Sequence, residues 1–267
     1  MGKRPRILVC NDDGIDAPGI AALARAVGDL GEVTVVAPDR QQSAVGHAIT
    51  MNYPLRAVPV HRDGALFGYA VEGTPADAVK LGVRKLLPAP PDLLISGINQ
   101  GSNVAINIIY SGTVSAATEG TILGVPSIAV SLTSHHSTEF GDAAAVARAL
   151  AAMVLERGLP PGTLLNVNVP AVPAGELRGV RVTHQGKSNW DDTFDVRRDP
   201  ANREYFWLTG KMNVTDTDPA ADVVAVRERY VSVTPVQYDL TDRGMLARLR
   251  EWPVERLLDF RGGSPGG

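Results

Sequence analysis

Apolar residues along the chain fall into two kinds of segment that alternate as far as about residue 169. Short apolar runs indicate buried strands, and longer segments with apolar residues at helical spacing indicate helices. The predicted strands are Arg6–Cys10, 33–37, 92–96, Ser127–Leu132 and 164–169. The predicted helices are 18–30, which Gly31 would end, 75–86, 112–123 and 143–155. This alternation predicts an α/β fold with a mostly parallel sheet core and helices on both faces.

The alternation weakens in the C-terminal third of the chain. The polar stretch 188–203 indicates extended hairpins and loops, and 205–208 and 230–234 are predicted strands. We expect a single domain over 1–260, in which about 185–240 form an extended β-hairpin region that serves subunit contacts. The Gly-rich segment 261–267 predicts a disordered tail.

Composition narrows the classes of function. The 267 residues are 44% hydrophobic and 21% charged, which suits one sizeable core. The net charge is -3 and the 26 basic residues are scattered, so we expect no long nucleic acid as a partner. The single cysteine, Cys10, excludes a disulfide within the chain and a Cys-based zinc site.

The N-terminal segment is basic, but the apolar run that follows ends at Cys10 and is too short for a signal-peptide core. No stretch approaches the length of a membrane span. We therefore expect a cytoplasmic protein with no membrane partner.

Adjacent carboxylates follow the first predicted strand, at the sheet edge where open α/β folds bind ligands. Asp12 and Asp13 repel each other, which is tolerable mainly if a cation or a basic side chain lies beside them. Oxygen ligands without cysteine favour Mg²⁺ or Mn²⁺ over zinc. The alternative is a turn with solvated side chains. Polar loops after other strands favour the metal site.

Two of those loops supply neutral oxygen donors. Ser43 follows the second predicted strand, and Asn99 follows the strand 92–96. Both could complete the coordination of an ion held by Asp12 and Asp13 without cancelling its remaining charge. For each residue alone, a role in a turn or a cap is the alternative.

A phosphate site is predicted at the start of the helix 112–123. Ser111, Gly112 and Thr113 would place backbone N–H groups, the helix dipole and two hydroxyls near one anion. An ordinary helix cap is the alternative. Asn103 could add a further donor.

Other reactive side chains are given no catalytic role. Cys10 lies in an apolar strand, where cysteine is usually an inert packed residue. His47 is close in sequence to Ser43 and could approach the site, but a lone loop histidine is usually incidental. His135 and His136 follow a strand in a polar stretch, where a solvated loop is expected.

Taken together, these segments resemble the SurE family, also called 5′/3′-nucleotidases or survival proteins. The similarity is carried by NDDGI at 11–15, APDRQQS at 37–43, SGIN at 96–99 with Gly101 and Asn103, and YSGTVSAA at 110–117. Further similar segments are LNVNVP at 165–170, TDTD at 215–218 and YVSVTP at 230–235. The similarity spans most of the chain.

The resemblance implies a Rossmann-like core and a hairpin exchanged between subunits in a homodimer or homotetramer. It implies one divalent ion per subunit, Mg²⁺ or Mn²⁺, at Asp12, Asp13, Ser43 and Asn99. The implied reaction is hydrolysis of nucleoside 5′-monophosphates, with 3′-monophosphates and short polyphosphate as further substrates.

For the mechanism, we expect direct attack on phosphorus by a water that the ion activates. Charge on the phosphoryl oxygens would be stabilised by Ser111, Gly112, Thr113 and Asn103. Asp12 or Asp13 would orient the water, and the sequence leaves open which of them does so. The expected catalytic residues are therefore Asp12, Asp13 and Asn103.

One stretch departs from the family pattern. Many members carry Gly and acidic residues between positions 103 and 110, whereas this chain reads VAINII at 104–109. If an acidic side chain there assists catalysis in relatives, Asn107 supplies only a neutral amide. The rate or substrate preference would differ, while the metal site is expected to survive.

Two other classes of function fit the sequence less well. A phosphoacceptor signalling domain also has an acidic pair after its first strand, but it needs a third carboxylate at a central strand end, where this chain has Asn99. A dinucleotide-dependent oxidoreductase needs a G-x-G-x-x-G sequence after the first strand, which is absent here.

Overall fold

The computed structural model describes residues 4–173 and 175–262. The strands are β1 (Arg6–Cys10), β2 (Glu32–Pro38), β3 (Ala57–Arg62), β4 (Ala65–Val71), β5 (Leu93–Gln100), β6 (Ser127–Leu132), β7 (Thr163–Val169), β8 (Gly179–Val182), β9 (Ser188–Arg198), β10 (Glu204–Val214) and β11 (Tyr230–Gln237). Nine of them form one sheet in the order β3-β4-β2-β1-β5-β6-β7-β11-β8. Neighbours from β4 to β7 pair in parallel, while β3 and β11 run antiparallel to β4 and β7. The predicted α/β fold with a mostly parallel sheet is confirmed.

Helices cover both faces of this sheet, as predicted. The helices are α1 (Pro18–Val27), α2 (Pro75–Leu81), α3 (Asn107–Tyr110), α4 (Gly112–Ile122), α5 (Gly141–Arg157), α6 (Asp222–Arg227) and α7 (Arg243–Leu249), of which α1 and α5 pack on one face and α2 and α4 on the other. Successive side chains of a strand point to opposite faces. Accordingly, Ile7 and Val9 pack in the cluster beneath α1 and α5, whereas Leu8 and Cys10 pack beneath α2 and α4.

Two predicted helix boundaries need correction. The first helix ends at Val27, not at residue 30, because the chain tightens there: Gly28 N–H donates to Arg25 O and Leu30 N–H donates to Val27 O. Gly31 then crosses the backbone of Pro5, where a Cβ would come within 2.3 Å of the carbonyl oxygen. The helix predicted at 75–86 is α2 followed by a π-helical turn, Gly82–Leu86.

The sequence pattern did not predict the β3–β4 hairpin at one edge of the sheet. Both strands are partly exposed; β3, AVPVHR, contains a proline, and in β4, ALFGYAV, a glycine interrupts the apolar run. The pattern also gave no prediction for β8, α6 or α7 or for the 3₁₀ helix Val254–Gly262. These elements lie at the edges of the sheet or in the C-terminal region, where solvent exposure weakens the apolar periodicity.

A separate two-stranded ribbon, formed by β9 and β10, occupies the region predicted to be extended hairpins. Its strands pair along eleven residues each. The strand predicted at 205–208 is part of β10, and that predicted at 230–234 is part of β11. Of the predicted tail, residues 261 and 262 end the 3₁₀ helix and 263–267 lie outside the described residues.

The sheet order determines where a site can form. In the order β2-β1-β5, the first strand lies between β2, whose following loop carries Ser43, and β5, which carries Asn99 near its carboxyl end. The carboxyl ends of these three parallel strands therefore meet at one edge of the sheet, with β2 and β5 on opposite sides of β1. Over the described part of the chain, no helix has both the length and the apolar character to cross a bilayer.

Candidate active site

Asp12 lies at the centre of this sheet edge and is only 6% exposed. Its Oδ1 accepts a hydrogen bond from Thr113 Oγ1 at 2.5 Å, which joins the β1 loop to the start of α4. Burial raises the pKa of Asp12 to about 6; the Thr113 hydrogen bond acts against this rise and the neighbouring Asp13 adds to it. The carboxylate is thus held in a place that disfavours its charge.

Asp13 is half-buried beside it. The hydrogen bonds that its two oxygens accept within the described part of the chain are long, 3.5 Å from Gln41 Nε2 and 3.4 Å from the Gln100 amide. Burial raises the pKa of Asp13, and the Gln100 amide and the His135 ring offset part of that effect. Within residues 4–173 and 175–262, neither Asp12 nor Asp13 forms an ion pair with Lys, Arg or His. This carboxylate pair fits a divalent cation.

The loop after β1 has a fixed shape. The Asn11 side chain donates to Gly14 O at 2.9 Å and accepts from Gly14 N at 3.2 Å. The Gln42 amide then donates to Asp12 O at 2.7 Å, which fastens the loop after β2 to the loop after β1. Ser43, the next residue, is exposed beside this contact.

Asn99 lies on the other side, at the end of β5. The β5–β6 register shifts between Ser96 and Asn99, and Asn99 Nδ2 donates to Gly101 O at 2.7 Å. This hydrogen bond uses the amide nitrogen and leaves Oδ1 for another partner. The structure therefore brings the loops of all four predicted metal ligands to one sheet edge.

The predicted phosphate site forms the N-terminus of α4. Ser111 is the N-cap, and its Oγ accepts a hydrogen bond from Val114 N at 3.1 Å. The helix cap given as the alternative in the sequence analysis is therefore present. Thr113 directs its hydroxyl to Asp12, and a Cβ on Gly112 would lie 2.7 Å from Asp12 Cβ. The absence of a side chain at Gly112 lets the carboxylate approach the helix terminus.

Asn103 is buried and firmly held. Its backbone N–H donates to Asn168 Oδ1 at 2.7 Å, and its carbonyl oxygen accepts from Asn166 Nδ2 and Asn168 Nδ2. Its side-chain Nδ2 donates to Ser131 Oγ at 2.9 Å, which leaves one N–H of the amide for a ligand. Asn107, at the position that departs from the family pattern, accepts a hydrogen bond from Trp190 of β9 at 2.9 Å.

Several site features were missed from sequence. His135 is exposed in a loop, as expected, and nothing in the sequence indicated that its ring also lies against Gly101, where a Cβ would be 2.3 Å from the imidazole. His47, treated as incidental, contacts the buried Glu119 at 3.0 Å. The Asn166–Val167–Asn168 alternation in β7 could have indicated buried amides that hold a loop. Cys10 is fully buried and burial raises its thiol pKa, in keeping with an inert role.

Comparisons with known proteins place the chain in a family. The sequence profile of the family described as "Survival protein SurE" matches residues 7–192. The 5′-nucleotidase SurE of Syntrophobacter fumaroxidans is 50% identical over 92% of this chain and 99% of its own length. That of Desulfatibacillum aliphaticivorans is 51% identical over 94% and 99%. The crystal structure of the SurE protein from Aquifex aeolicus superposes with a TM-score of 0.81 at 41% identity, covering 92% of this chain and 99% of that one.

The contact between Gly112 and Asp12 yields a first prediction. In Gly112→Ala, the new methyl group would displace the Asp12 carboxylate, so we expect binding of Mn²⁺ to weaken by at least about tenfold, which corresponds to about 1.4 kcal/mol. Titration with Mn²⁺ followed by calorimetry measures the change. Gly141→Ala is the matched control, because Gly141 also begins a helix and a Cβ there would meet nothing within 4 Å. Equal affinity in both variants would contradict the proposed role of Gly112.

The raised pKa of Asp12 yields a second prediction. Folding raises the pKa of this carboxyl to about 6, because the folded state disfavours its ionisation. The free energy of unfolding of the protein therefore falls as pH rises from about 4 to about 6. In metal-free protein at pH 7.5, Asp12→Asn should therefore increase the free energy of unfolding by about 1–3 kcal/mol, with the gain vanishing near pH 3.5. Urea denaturation at the two pH values measures it.

The exposed Asp192→Asn variant, which changes the net charge equally, should show no such gain. A metal-free Asp12→Asn protein that is less stable than the wild type at pH 7.5 would mean that the carboxylate stabilises the fold.

Proposed function

The chain belongs to the SurE family of 5′-nucleotidases, and from that premise we propose that its site hydrolyses nucleoside 5′-monophosphates with one bound Mg²⁺ or Mn²⁺. The observation that carries the proposal is the pair Asp12 and Asp13. These adjacent carboxylates, raised in pKa by burial, lie at the sheet edge against the N-terminus of α4. A site that concentrates negative charge and a helix N-terminus suits a cation and a phosphate together.

Asp12, Asp13, Ser43 and Asn99 would hold the ion. When bound, a divalent ion polarises a phosphoryl oxygen and lowers the pKa of water. The two negative charges of the carboxylates equal the two positive charges of the ion. The neutral donors Ser43 and Asn99 add ligands without adding negative charge. The site would then not repel a phosphate dianion.

The protein residues around the phosphate have separate tasks. The first turn of α4 would direct backbone N–H groups at the phosphoryl oxygens, and Ser111 Oγ, which accepts from Val114 N, still has its proton to donate. The remaining N–H of Asn103 would serve a further oxygen. Because the Asn103 backbone is fixed by Asn166 and Asn168, this donor is ordered before substrate binds.

Asp13 is the better candidate for orienting the attacking water. Asp12 already accepts a short hydrogen bond from Thr113 and is almost fully buried. Asp13 is more exposed, and its oxygens accept only the long hydrogen bonds from Gln41 and Gln100, so they can accept a proton from water. Attack by water on phosphorus breaks the bond to the nucleoside oxygen and releases the nucleoside and phosphate.

The same site could take 3′-monophosphates and short polyphosphate, because every contact assigned above is to a terminal phosphate. The phosphoacceptor alternative is disfavoured by Asn99, which occupies the strand end where such a domain needs its third carboxylate. Throughout the described segments, no group of three or more His, Cys, Asp or Glu side chains could hold a metal ion. The proposed site has two carboxylates, so it depends on the neutral oxygens of Ser43 and Asn99 for its other protein ligands.

We also propose a homodimer or homotetramer in which the β9–β10 ribbon contacts another subunit. Four apolar side chains, each more than half exposed, are cross-strand partners on one face of the ribbon: Phe194, Val196, Phe206 and Leu208. An apolar face on an isolated two-stranded ribbon is unfavourable in water, and a second copy of this chain would cover it.

Phosphate release tests the proposed activity. Metal-stripped protein with Mg²⁺ or Mn²⁺ restored should release phosphate from nucleoside 5′-monophosphates, and Asp12→Asn should lower the rate at least about 100-fold because it removes a ligand of the ion. A panel with 3′-monophosphates and tripolyphosphate defines the substrate range, and Asp192→Asn serves as the charge control. A wild-type protein inactive with every ion would leave a binding or signalling role as the better account.

The oligomer proposal has its own test. Phe206→Glu places a charge in the apolar ribbon face and should lower the molar mass measured by light scattering toward that of one chain. Thr209→Glu adds the same charge on the opposite face of the ribbon and should leave the molar mass unchanged. A wild-type molar mass of one chain would refute the proposal directly.

A further inference from the structure

The Ser43 segment, residues 39–56, joins β2 to β3 and carries a proposed ligand of the ion. Every residue in it is exposed or only partly buried. Packing in the core therefore contributes little to its conformation, and specific hydrogen bonds must hold it. Their positions determine how well Ser43 is placed before an ion binds.

Hydrogen bonds fasten the segment at several points, among them Gly46 N–H to Tyr110 O at 3.2 Å and Thr74 Oγ1 to Ala48 O at 2.7 Å. Three further contacts also hold it. Near Ser43, the Gln42 amide donates to Asp12 O at 2.7 Å. At the far end, Thr50 donates from its amide and hydroxyl to the buried Asp77, at 2.9 and 2.6 Å. Between them, His47 Nε2 lies 3.0 Å from Glu119 Oε2. This middle contact joins the segment to α4.

Glu119 is a costly residue to place where it is. It is 3% exposed, and its other oxygen, Oε1, accepts from Lys80 Nζ at 2.5 Å. Burial acts to raise the pKa of Glu119, but the hydrogen bonds from His47 and Lys80 outweigh it and hold the pKa below its usual range. An ionised, buried carboxylate with one oxygen for each partner makes a directed contact.

The residues that contact Asp12 and His47 lie on the same helix, α4. Thr113, in the first turn of α4, donates to Asp12, and Glu119, nearly two turns later, contacts His47. A continuous helix keeps these two residues at a fixed separation. The helix therefore relates Asp12 to the Ser43 segment independently of the Gln42 contact.

We propose that His47 and Glu119 are positioning residues, which hold the Ser43 segment on α4 so that the Ser43 hydroxyl is in place for the ion that Asp12 and Asp13 bind. The inference rests on the proposed function, because it takes Ser43 as a ligand. Neither residue touches the substrate. Because they order the segment before the ion binds, less of the binding free energy is lost to ordering it.

Lys80 distinguishes positioning from simple stabilisation. It contacts the same carboxylate as His47, but it comes from α2 and does not belong to the Ser43 segment. Loss of Lys80 leaves a buried charge less well compensated and so weakens the fold. Loss of His47 removes the side-chain contact between the segment and α4 and so loosens the segment, although the Gly46 and Ala48 hydrogen bonds remain.

The experiment compares His47→Ala, His47→Gln and Lys80→Met with the wild type. Hydrogen exchange of amides 43–49 in metal-free protein and the dissociation constant for Mn²⁺ are measured. In His47→Ala, we expect faster exchange in this segment, unchanged exchange in α4, and about tenfold weaker Mn²⁺ binding. His47→Gln, whose amide can donate to Glu119, should restore most of both. Lys80→Met should lower the melting temperature but keep the exchange and the Mn²⁺ affinity of the wild type.

Two results would overturn the inference, and they differ in what else they affect. If the wild type binds Mn²⁺ and His47→Ala binds it equally well, the positioning role is refuted and the proposed function stands. If the wild type itself binds no divalent ion, the positioning role and the proposed metal site are refuted together.

Discussion

The adjacent carboxylates of the buried Asp12 and the half-buried Asp13 are the constraint around which the site is organised. Asp12 is almost fully enclosed, and its side chain accepts a short hydrogen bond from Thr113. A buried ionised group without a partner costs several kcal/mol, and a protein can accept that cost where a ligand later offsets it. The neighbouring features follow from this: Gly112 makes room, Asn11 and Gln42 fix the loops, and Asn99 offers an oxygen that carries no charge.

Helix α4 connects these features to the rest of the fold. Its sequence, GTVSAATEGTI, is built from small residues, and it packs closely against the sheet: a Cβ on Gly120 would lie 2.6 Å from Ser127 Oγ. Close packing fixes the helix, and the fixed helix in turn places Thr113 against Asp12 and Glu119 against His47. A small displacement of α4 would therefore alter both contacts at once.

The sequence predicted the sheet and the loops of the site because both follow from strong local signals. Buried parallel strands have continuous apolar runs, and polar residues directly after β1 and β5 must lie at the same sheet edge. The β3–β4 hairpin was missed because a proline interrupts β3 and a glycine interrupts the apolar run of β4. The His47–Glu119 contact was missed for another reason: its residues are 72 positions apart, and neither has a local pattern that names the other.

Asn107 shows how the C-terminal region bears on the same site. It lies in α3, the short helix that directly precedes Ser111, and its side-chain oxygen accepts a hydrogen bond from Trp190 of the ribbon. An acidic residue at this position would accept the same hydrogen bond but would add a negative charge close to the proposed phosphate site. With a neutral amide, this chain keeps the ribbon contact without that charge. One short helix thus joins the ribbon, through Asn107, to the residue that caps α4.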